Sequence, residues 1–260
     1  MAQTILLQMD SSLAENYKSA SQKTRVITET WVENNMFCPR CGTLHIARFE
    51  NNKPVADFYC PHCENQFELK SKDGTSLEKI SDGAYSTMIN RITGMNNPDF
   101  FFMSYSKVNW TVKDFFFVPK HFFTPELIEK RKPLALTARR AGWVGCNILL
   151  TKIPTTGRIP IVENGVFLER GRVMEKVNKA DNLLVSNMGA RGWLLDVLSC
   201  VERIQNTSFT LSQIYDFEAE LSAKHPENNN VKAKIRQQLQ LLRDKGIIEF
   251  VRPGEYRKVV

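Results

Sequence analysis

Four of the six cysteines form two Cys-x-x-Cys pairs, and this arrangement constrains the fold more than any other feature of the chain. Cys38 pairs with Cys41, Cys60 pairs with Cys63, and 18 residues lie between the two pairs. The short spacing lets both thiolates of a pair approach one ion, and two pairs complete a tetrahedral shell of four sulfurs. One pair alone would leave a redox motif or unrelated thiols open. Two pairs at this separation predict a closed, structural Zn²⁺ site.

Composition places the chain among reduced globular proteins. Its 260 residues are 42% hydrophobic, which is enough for one large domain or two ordinary ones. The net charge of +7 is compatible with a polyanionic partner. We expect no membrane span and a cytoplasmic location, because no long apolar run is present and the first ten residues lack the pattern of a secretory signal. Cys146 and Cys200 are then interpreted as ordinary buried thiols.

Two acids and a lysine flank the second cysteine pair. Asp57 follows Pro54, Val55 and Ala56, and ten residues separate it from Glu68-Leu69-Lys70. Alternate side chains of a strand share a face, so Glu68 and Lys70 are predicted to point the same way, with Leu69 turned toward the core.

We expect the segments around Asp57 and Glu68 to form a hairpin. If Tyr59 approaches Phe67 across it, the Cys60 pair lies at the tip and the two acids lie on neighbouring strands. Two carboxylates there can hold Mg²⁺, which polarises a phosphate, and the lysine can stabilise charge near the attacking water. Glu-x-Lys alone also occurs by chance in most soluble proteins.

Periodicity predicts two units along the chain. In the first, a helix at 85–92 and aromatic strands at 100–105 and 114–118 predict an α/β core with a mixed sheet buried on both faces. Residues 151–180 have no clear pattern and are interpreted as a possible linker. In the second unit, helices at 193–204, 211–221 and 231–245 and a hairpin at 247–259 predict a winged helix-turn-helix. The predicted domains are 1–180 and 181–260.

Basic residues concentrate in two places. Residues 120–143 carry a net charge of +4 and end in Arg139, Arg140 and Trp143. This segment is either a solvated surface with a buried tryptophan or a phosphate-binding strip beside an aromatic that packs against a base.

The charge of the second unit is uneven: residues 229–260 carry +5 and residues 181–228 carry −4. The inward face of the third helix is predicted to consist of Val231, Ile235, Leu239 and Leu242. Its outward side chains suit a DNA major groove, although winged helices also bind proteins. The candidate DNA contacts of this unit are Lys232, Ala233, Arg236, Gln237 and Arg252, and Gln240 also faces outward.

Three long segments resemble the DpnI family of restriction enzymes, which cut methylated DNA, and the likeness extends along nearly the whole chain. The segments are PVADFYCPHCENQFELKSK (54–72), RKPLALTARRAGWVGCNI (131–148) and KIRQQLQLLRDKGIIEF (234–250).

The resemblance implies a PD-(D/E)xK nuclease domain with an embedded four-cysteine zinc site, followed by a winged helix. It implies double-strand cleavage at GATC sites that carry N6-methyladenine, with both domains reading the methylated sequence. By this resemblance, Asp57 and Glu68 would bind the catalytic metal and Lys70 would be the catalytic lysine. Trp143 would contact the methyl groups. The expected cofactors are catalytic Mg²⁺ and structural Zn²⁺, and the expected partner of a monomeric enzyme is double-stranded DNA. Pro54 does not directly precede Asp57, so the literal "PD" is not met.

Two other classes compete with a nuclease. A non-catalytic, zinc-containing DNA-binding regulator would share the winged helix and the zinc site without needing the two acids and the lysine together. An RNA-binding zinc protein would be expected to show aromatic recognition motifs, which the sequence lacks. Glu29, in the first helix, is a further candidate ligand for the catalytic metal.

Overall fold

A computed structural model describes residues 6–50, 56–94 and 96–259. The helices are α1 (Ala20–Asn35), α2 (Tyr85–Thr93), α3 (Arg170–Asp181), α4 (Met188–Arg203), α5 (Leu211–Tyr215), α6 (Glu218–Lys224) and α7 (Val231–Asp244). The strands are β1 (Ala47–Arg48), β2 (Phe58–Tyr59), β3 (Gln66–Asp73), β4 (Lys79–Ala84), β5 (Asp99–Ser106), β6 (Thr111–Val118), β7 (Ile128–Lys130), β8 (Gly145–Leu149), β9 (Ile159–Glu163), β10 (Val166–Phe167), β11 (Ser208–Thr210), β12 (Ile248–Arg252) and β13 (Glu255–Lys258).

The first unit is built on a seven-stranded mixed sheet, as predicted. The strand order is β1-β2-β3-β5-β6-β9-β10. β3 and β5 are parallel, and the other neighbours are antiparallel. The crossover from β3 to β5 contains β4 and α2, and β4 joins β8 and β7 in a separate three-stranded sheet. This crossover brings β4 and α2 beside the strand that carries Glu68 and Lys70.

Aromatic residues fill both faces of the large sheet. Phe100, Phe101 and Phe102 of β5 are all fully buried, although adjacent side chains on a strand point to opposite faces. Phe101 stacks on Phe67 at a ring distance of 5.0 Å, and Phe100 lies 4.3 Å from Phe123 on the other side. The prediction of a sheet buried on both faces is therefore confirmed.

The interpretation of residues 151–180 as a linker is wrong. They contribute β9 and β10 to the edge of the large sheet and then form α3. Ile159 and Ile161 are buried in the strand, and Val173 and Val177 are buried in the helix. The sequence does not reveal these elements, because the two strands are short and a polar turn separates them.

The second unit is the predicted helix-turn-helix with a terminal hairpin, extended by one strand. β11, β13 and β12 form an antiparallel sheet in that order. Thr210 caps α5 through a reciprocal capping box with Gln213. Gly246, at φ +71°, ends α7 and leads into β12.

The prediction of one continuous helix over 211–221 is wrong. α5 ends at Tyr215 and α6 begins at Glu218. Phe217, at φ −90° and ψ 5°, takes the bridge conformation between them. Its ring packs against the core and lies 4.4 Å from the Arg203 guanidinium.

Hydrogen bonds connect the two units. The carboxylate of Glu202 on α4 accepts hydrogen bonds from the backbone N–H groups of Thr155 and Thr156 and from the Thr156 hydroxyl, at 2.6–2.9 Å. The ammonium of Lys179 on α3 donates to the backbone carbonyl of Val259. Over the described ranges, no helix combines the length and apolar character that crossing a membrane requires.

Candidate active site

The four predicted cysteine ligands come together as one cluster. Their sulfur atoms all lie within 4.8 Å of one another, and the Cys38–Cys63 and Cys41–Cys60 pairs are each 3.6 Å apart. A tetrahedral Zn²⁺ with Zn–S bonds of about 2.3 Å requires sulfur–sulfur distances of about 3.8 Å. The donor set and its spacing therefore fit zinc. Cys146 and Cys200 are buried elsewhere, as expected.

The two knuckles of this cluster have the same backbone form. In the first, the N–H of Gly42 donates to the carbonyl of Cys38 at 2.8 Å. In the second, the N–H of Glu64 donates to the carbonyl of Cys60 at 2.9 Å. Gly42 (φ +77°) and Glu64 (φ +60°) both adopt the left-handed conformation that the turn requires.

The second knuckle closes the hairpin that carries the acids. β2 pairs with β3 through Phe58–Phe67 and Tyr59–Gln66, so the predicted approach of Tyr59 to Phe67 is displaced by one residue. The backbone N–H of Asp57 donates to the carbonyl of Phe67 at 3.0 Å. The prediction that both acids lie on strands is wrong for Asp57, which lies just before β2, but this bond makes it a direct neighbour of the strand that bears Glu68. Pro54 and Val55, which precede Ala56 and Asp57 in the sequence, lie outside the described residues.

Glu68 and Lys70 share a face of β3, as alternation predicts. The Lys70 ammonium lies 2.7 Å from Glu68 Oε1 and 2.5 Å from Asp82 Oδ1. Arg91 Nη1 lies 2.6 Å from the other Glu68 oxygen, Oε2. Two acids and two bases therefore alternate in one mostly buried network.

Sequence reasoning missed two members of this network. Asp82 precedes the helix predicted at 85–92 and lies in β4, from which its carboxylate reaches Lys70. Arg91 lies in the last turn of α2, where an isolated arginine usually indicates a solvated surface. Neither has a local motif, because the β3–β5 crossover creates their proximity.

Burial raises the pKa of Asp57 to about 6. The backbone N–H of Leu69 donates to Asp57 Oδ2 at 2.8 Å and opposes the shift. The negative charges of Glu68 and Glu29 add to it, and the Lys70 charge counteracts it. Desolvation and the neighbouring acids therefore outweigh the Leu69 hydrogen bond and the Lys70 charge at Asp57.

Glu29 lies on α1, close enough for its charge to act on Asp57. Its carboxylate is buried and pairs with Arg25 at 2.6 Å and with Arg48 at 3.8 Å. These pairs partly neutralise Glu29. Its role as a metal ligand remains a prediction.

The carboxylates fit a hard divalent cation. Asp57 and Glu68 supply only oxygen donors, and Mg²⁺ typically uses one or two protein carboxylates together with water and substrate phosphate. Glu68 Oε2 is buried, and despite the nearby Arg91 it has no hydrogen-bond partner among the described residues. Such an oxygen is chemically suited to a metal ion.

The basic loop between β7 and β8 presents the first candidate DNA contacts. Arg139 and Arg140 are exposed, and the Arg140 guanidinium lies 4.6 Å from the centre of the half-buried Trp143 ring. The far edge of that ring lies over Gly145, where an added Cβ would approach it to 2.8 Å. The tryptophan is therefore held at the base of a basic loop, between Arg140 and Gly145.

The last long helix, α7, presents the second set. Val231, Ile235, Leu239 and Leu242 are buried, which confirms the predicted inward face. The exposed outward residues are Lys232, Ala233, Arg236, Gln237 and Gln240.

Tyr215 organises part of the exposed side of α7. Its hydroxyl accepts a hydrogen bond from Arg236 at 2.8 Å, and the Lys232 ammonium lies 5.3 Å from its ring. Arg252, at the hairpin turn, is exposed and pairs with Glu255.

A mixed-sheet domain with a four-cysteine cluster and a paired-acid site, followed by a helix-turn-helix, defines a class of two-part, DNA-binding proteins. Residues 5–186 match the family model of DpnI, described as the Dam-replacing family. Residues 189–258 match the model of the C-terminal DpnI domain, described as the Dam-replacing HTH domain. The chain belongs to the DpnI family. These matches support a DpnI-like enzyme that binds DNA.

Proposed function

We propose that this protein is a methyl-directed restriction endonuclease that makes double-strand cuts at GATC sites carrying N6-methyladenine. The observation that carries the proposal is the convergence of Asp57, Glu68 and Lys70 on one buried hairpin in a chain of the DpnI family. A non-catalytic regulator has no use for this arrangement.

Asp57 and Glu68 would hold Mg²⁺, which when bound polarises the phosphate and promotes formation of hydroxide. Hydrolysis is an in-line attack of water on phosphorus, with loss of the opposite P–O bond. Lys70 donates hydrogen bonds to the attacking water or to a phosphate oxygen, where negative charge develops. Asp82 holds the Lys70 ammonium in place, and the zinc cluster sets the hairpin geometry.

DNA recognition is divided between the two units in this proposal. Arg139 and Arg140 bind phosphates, and Trp143 contacts the methyl groups. Lys232, Ala233, Arg236, Gln237 and Arg252 form the second reading surface, where arginine and glutamine can pair with guanine and adenine edges. We propose a monomer that acts in the cytoplasm, with domains at 1–180 and 181–260.

Plasmid from a methylating strain and from a non-methylating strain tests the proposal. At matched enzyme, only methylated GATC should be cut, only with Mg²⁺, and cutting should stop when EDTA is added. Asp57→Ala and Lys70→Ala should abolish cutting while methylated DNA is still bound. Binding without cutting by the wild-type protein would establish the regulator instead, and equal cutting of both plasmids would refute methyl-directed recognition.

A further inference from the structure

Arg91 contacts an oxygen of Glu68, one of the two carboxylates that would hold the proposed metal. Its Nη1 lies 2.6 Å from Glu68 Oε2, and both side chains are mostly buried. Lys70 already holds the other oxygen, Oε1, at 2.7 Å. The Glu68 carboxylate therefore contacts two cationic side chains, Lys70 and Arg91.

The Arg91–Glu68 contact is close but poorly hydrogen-bonded. Glu68 Oε2 and Arg91 Nε are both buried, and neither has a hydrogen-bond partner of acceptable geometry among the described residues. The bidentate contact between Arg40 and Asp99, at 2.7 and 2.8 Å, shows what a satisfied arginine–carboxylate pair looks like in the same protein. The Arg91 pair gains Coulomb attraction and leaves hydrogen-bonding capacity unused on both partners.

A guanidinium and a metal ion compete for one oxygen. Two cations at Oε2 would repel each other across a few ångströms at low dielectric. The planar guanidinium also matches the oxygens of a phosphate, which can accept the hydrogen bonds that Glu68 leaves unmade. Entry of a DNA phosphate can thus draw Arg91 from Glu68 and release the oxygen.

We propose that Arg91 couples metal binding to DNA binding: it neutralises Glu68 in the free protein and moves to a DNA phosphate when the substrate arrives. This inference rests on the proposed nuclease function. Arg91 is then a positioning residue in the free protein and a phosphate contact in the complex. The arrangement keeps the hydrolytic site incomplete until DNA is present.

Calorimetry on four states tests the coupling. Ca²⁺ is titrated into wild-type protein and Arg91→Gln, each free and bound to a duplex containing methylated GATC, with electrophoresis to verify that the duplex stays intact. Free Arg91→Gln should bind Ca²⁺ about 5- to 150-fold more tightly than free wild type. The factor by which DNA improves Ca²⁺ affinity should decrease, and the factor by which Ca²⁺ improves DNA affinity should decrease equally.

Arg203→Gln is the matched control, because Arg203 pairs with Glu220 at 2.7 Å in the helical domain, away from the acids. Arg203→Gln should bind Ca²⁺ as wild type does, both free and bound to DNA. Its affinity for DNA should also equal that of wild type, with and without Ca²⁺. Zinc content and far-ultraviolet circular dichroism establish that the variants are folded. If Arg91→Gln loses either signal, Arg91→Lys decides, with a smaller shift in the same direction expected.

Unchanged or weaker Ca²⁺ binding by the free, folded variant would overturn the proposal. So would tighter Ca²⁺ binding with an undiminished effect of DNA, because Arg91 would then compete for Glu68 without sensing phosphate. Cleavage of methylated plasmid by wild type is measured in parallel. Its absence would refute the proposed function, whereas cleavage with unaltered coupling would refute only the role of Arg91.

Discussion

At the residue scale, the buried charges around Lys70 are arranged as alternating acids and bases. Removing any charge from water is costly, and a buried ion is tolerated only when it is paired. Asp82 and Glu68 flank the ammonium at 2.5 and 2.7 Å, and their negative charges raise its pKa against the opposing effect of desolvation. The lysine is thereby held charged and fixed in one position.

Asp82→Asn should slow cleavage without abolishing it. The amide keeps the size of the side chain but loses the ionic contact that orients Lys70, and loss of such a supporting partner typically reduces activity about 10- to 100-fold. Single-turnover cleavage of a methylated duplex measures the effect. Asp73→Asn, at the exposed end of β3, the strand that carries Lys70, serves as the control and should cleave at the wild-type rate. A wild-type rate for Asp82→Asn would remove Asp82 from the active site.

At the element scale, the four-cysteine cluster and the acid-bearing hairpin form one structural unit. Cys60 and Cys63 lie between Asp57 and Glu68, so the second knuckle closes the turn of the hairpin. Arg40, inside the first knuckle, bridges to the buried Asp99 of β5 and to Asp181 of α3. The cluster is thus tied to the sheet that positions the acids.

Cys60→Ser should lose zinc and cleavage together, although it changes no catalytic atom. A closed zinc site contributes directly to folding, and without it the hairpin loses its turn. Zinc content, thermal midpoint and cleavage rate are measured on the same preparation, and we expect all three to fall. Cys200→Ala, a buried thiol outside the cluster, should keep its zinc. A zinc-free Cys60→Ser protein with full activity would separate the cluster from catalysis.

His121 links a short turn before β7 to the end of α3. Its Nε2 lies 2.9 Å from the carbonyl of Ala180, and the side chain is buried. Desolvation lowers the pKa of His121 from 6.5, against the opposing effect of the Ala180 carbonyl. The neutral ring therefore stabilises the fold above the unfolded pKa of about 6.5, and this stabilisation is lost as pH falls below it.

His121→Gln should flatten the pH dependence of stability. Between pH 7 and pH 5 the unfolded wild-type chain gains a proton on His121 before the folded protein does, so the free energy of unfolding decreases. Glutamine has no such proton to take up. Urea denaturation across this range compares the two slopes. Parallel curves for wild type and variant would show that His121 does not contribute.

At the scale of the whole molecule, the described residues present two basic surfaces, one in each unit. One is the loop that carries Arg139 and Arg140, and the other is the exposed side of α7 with its hairpin. Glu202 connects the two units by accepting hydrogen bonds from Thr155 and Thr156. Two surfaces on one chain can raise the apparent affinity when both engage one DNA molecule.

Lys232→Ala and Gln237→Ala should have different effects on DNA binding. A lysine that contacts phosphate contributes sequence-independent affinity, so its loss should reduce the slope of log affinity against log salt by about 1. Loss of a glutamine that pairs with a base should cost about 1–3 kcal/mol of binding free energy, and only on the specific sequence. Lys107→Ala, an exposed lysine in the β5–β6 turn, is the control. Identical salt slopes for Lys232→Ala and Lys107→Ala would exclude a phosphate contact at Lys232.

Local patterns in the sequence predicted most of the elements and the candidate site residues. Cysteine spacing predicted the four-cysteine cluster, since ligands close in sequence are close in space. Strand alternation placed Glu68 and Lys70 on one face, and helical periodicity identified the buried side of α7. The long segments shared with the DpnI family indicated the function beyond these patterns.

Only the tertiary structure decided which distant groups meet. Asp82 and Arg91 join Glu68 and Lys70 because the parallel β3–β5 crossover folds β4 and α2 over the end of β3. Residues 159–163 and 166–167 become strands because the sheet edge supplies their hydrogen-bond partners. Backbone pairing and charge pairing across tens of residues depend on chain topology, which local periodicity does not encode.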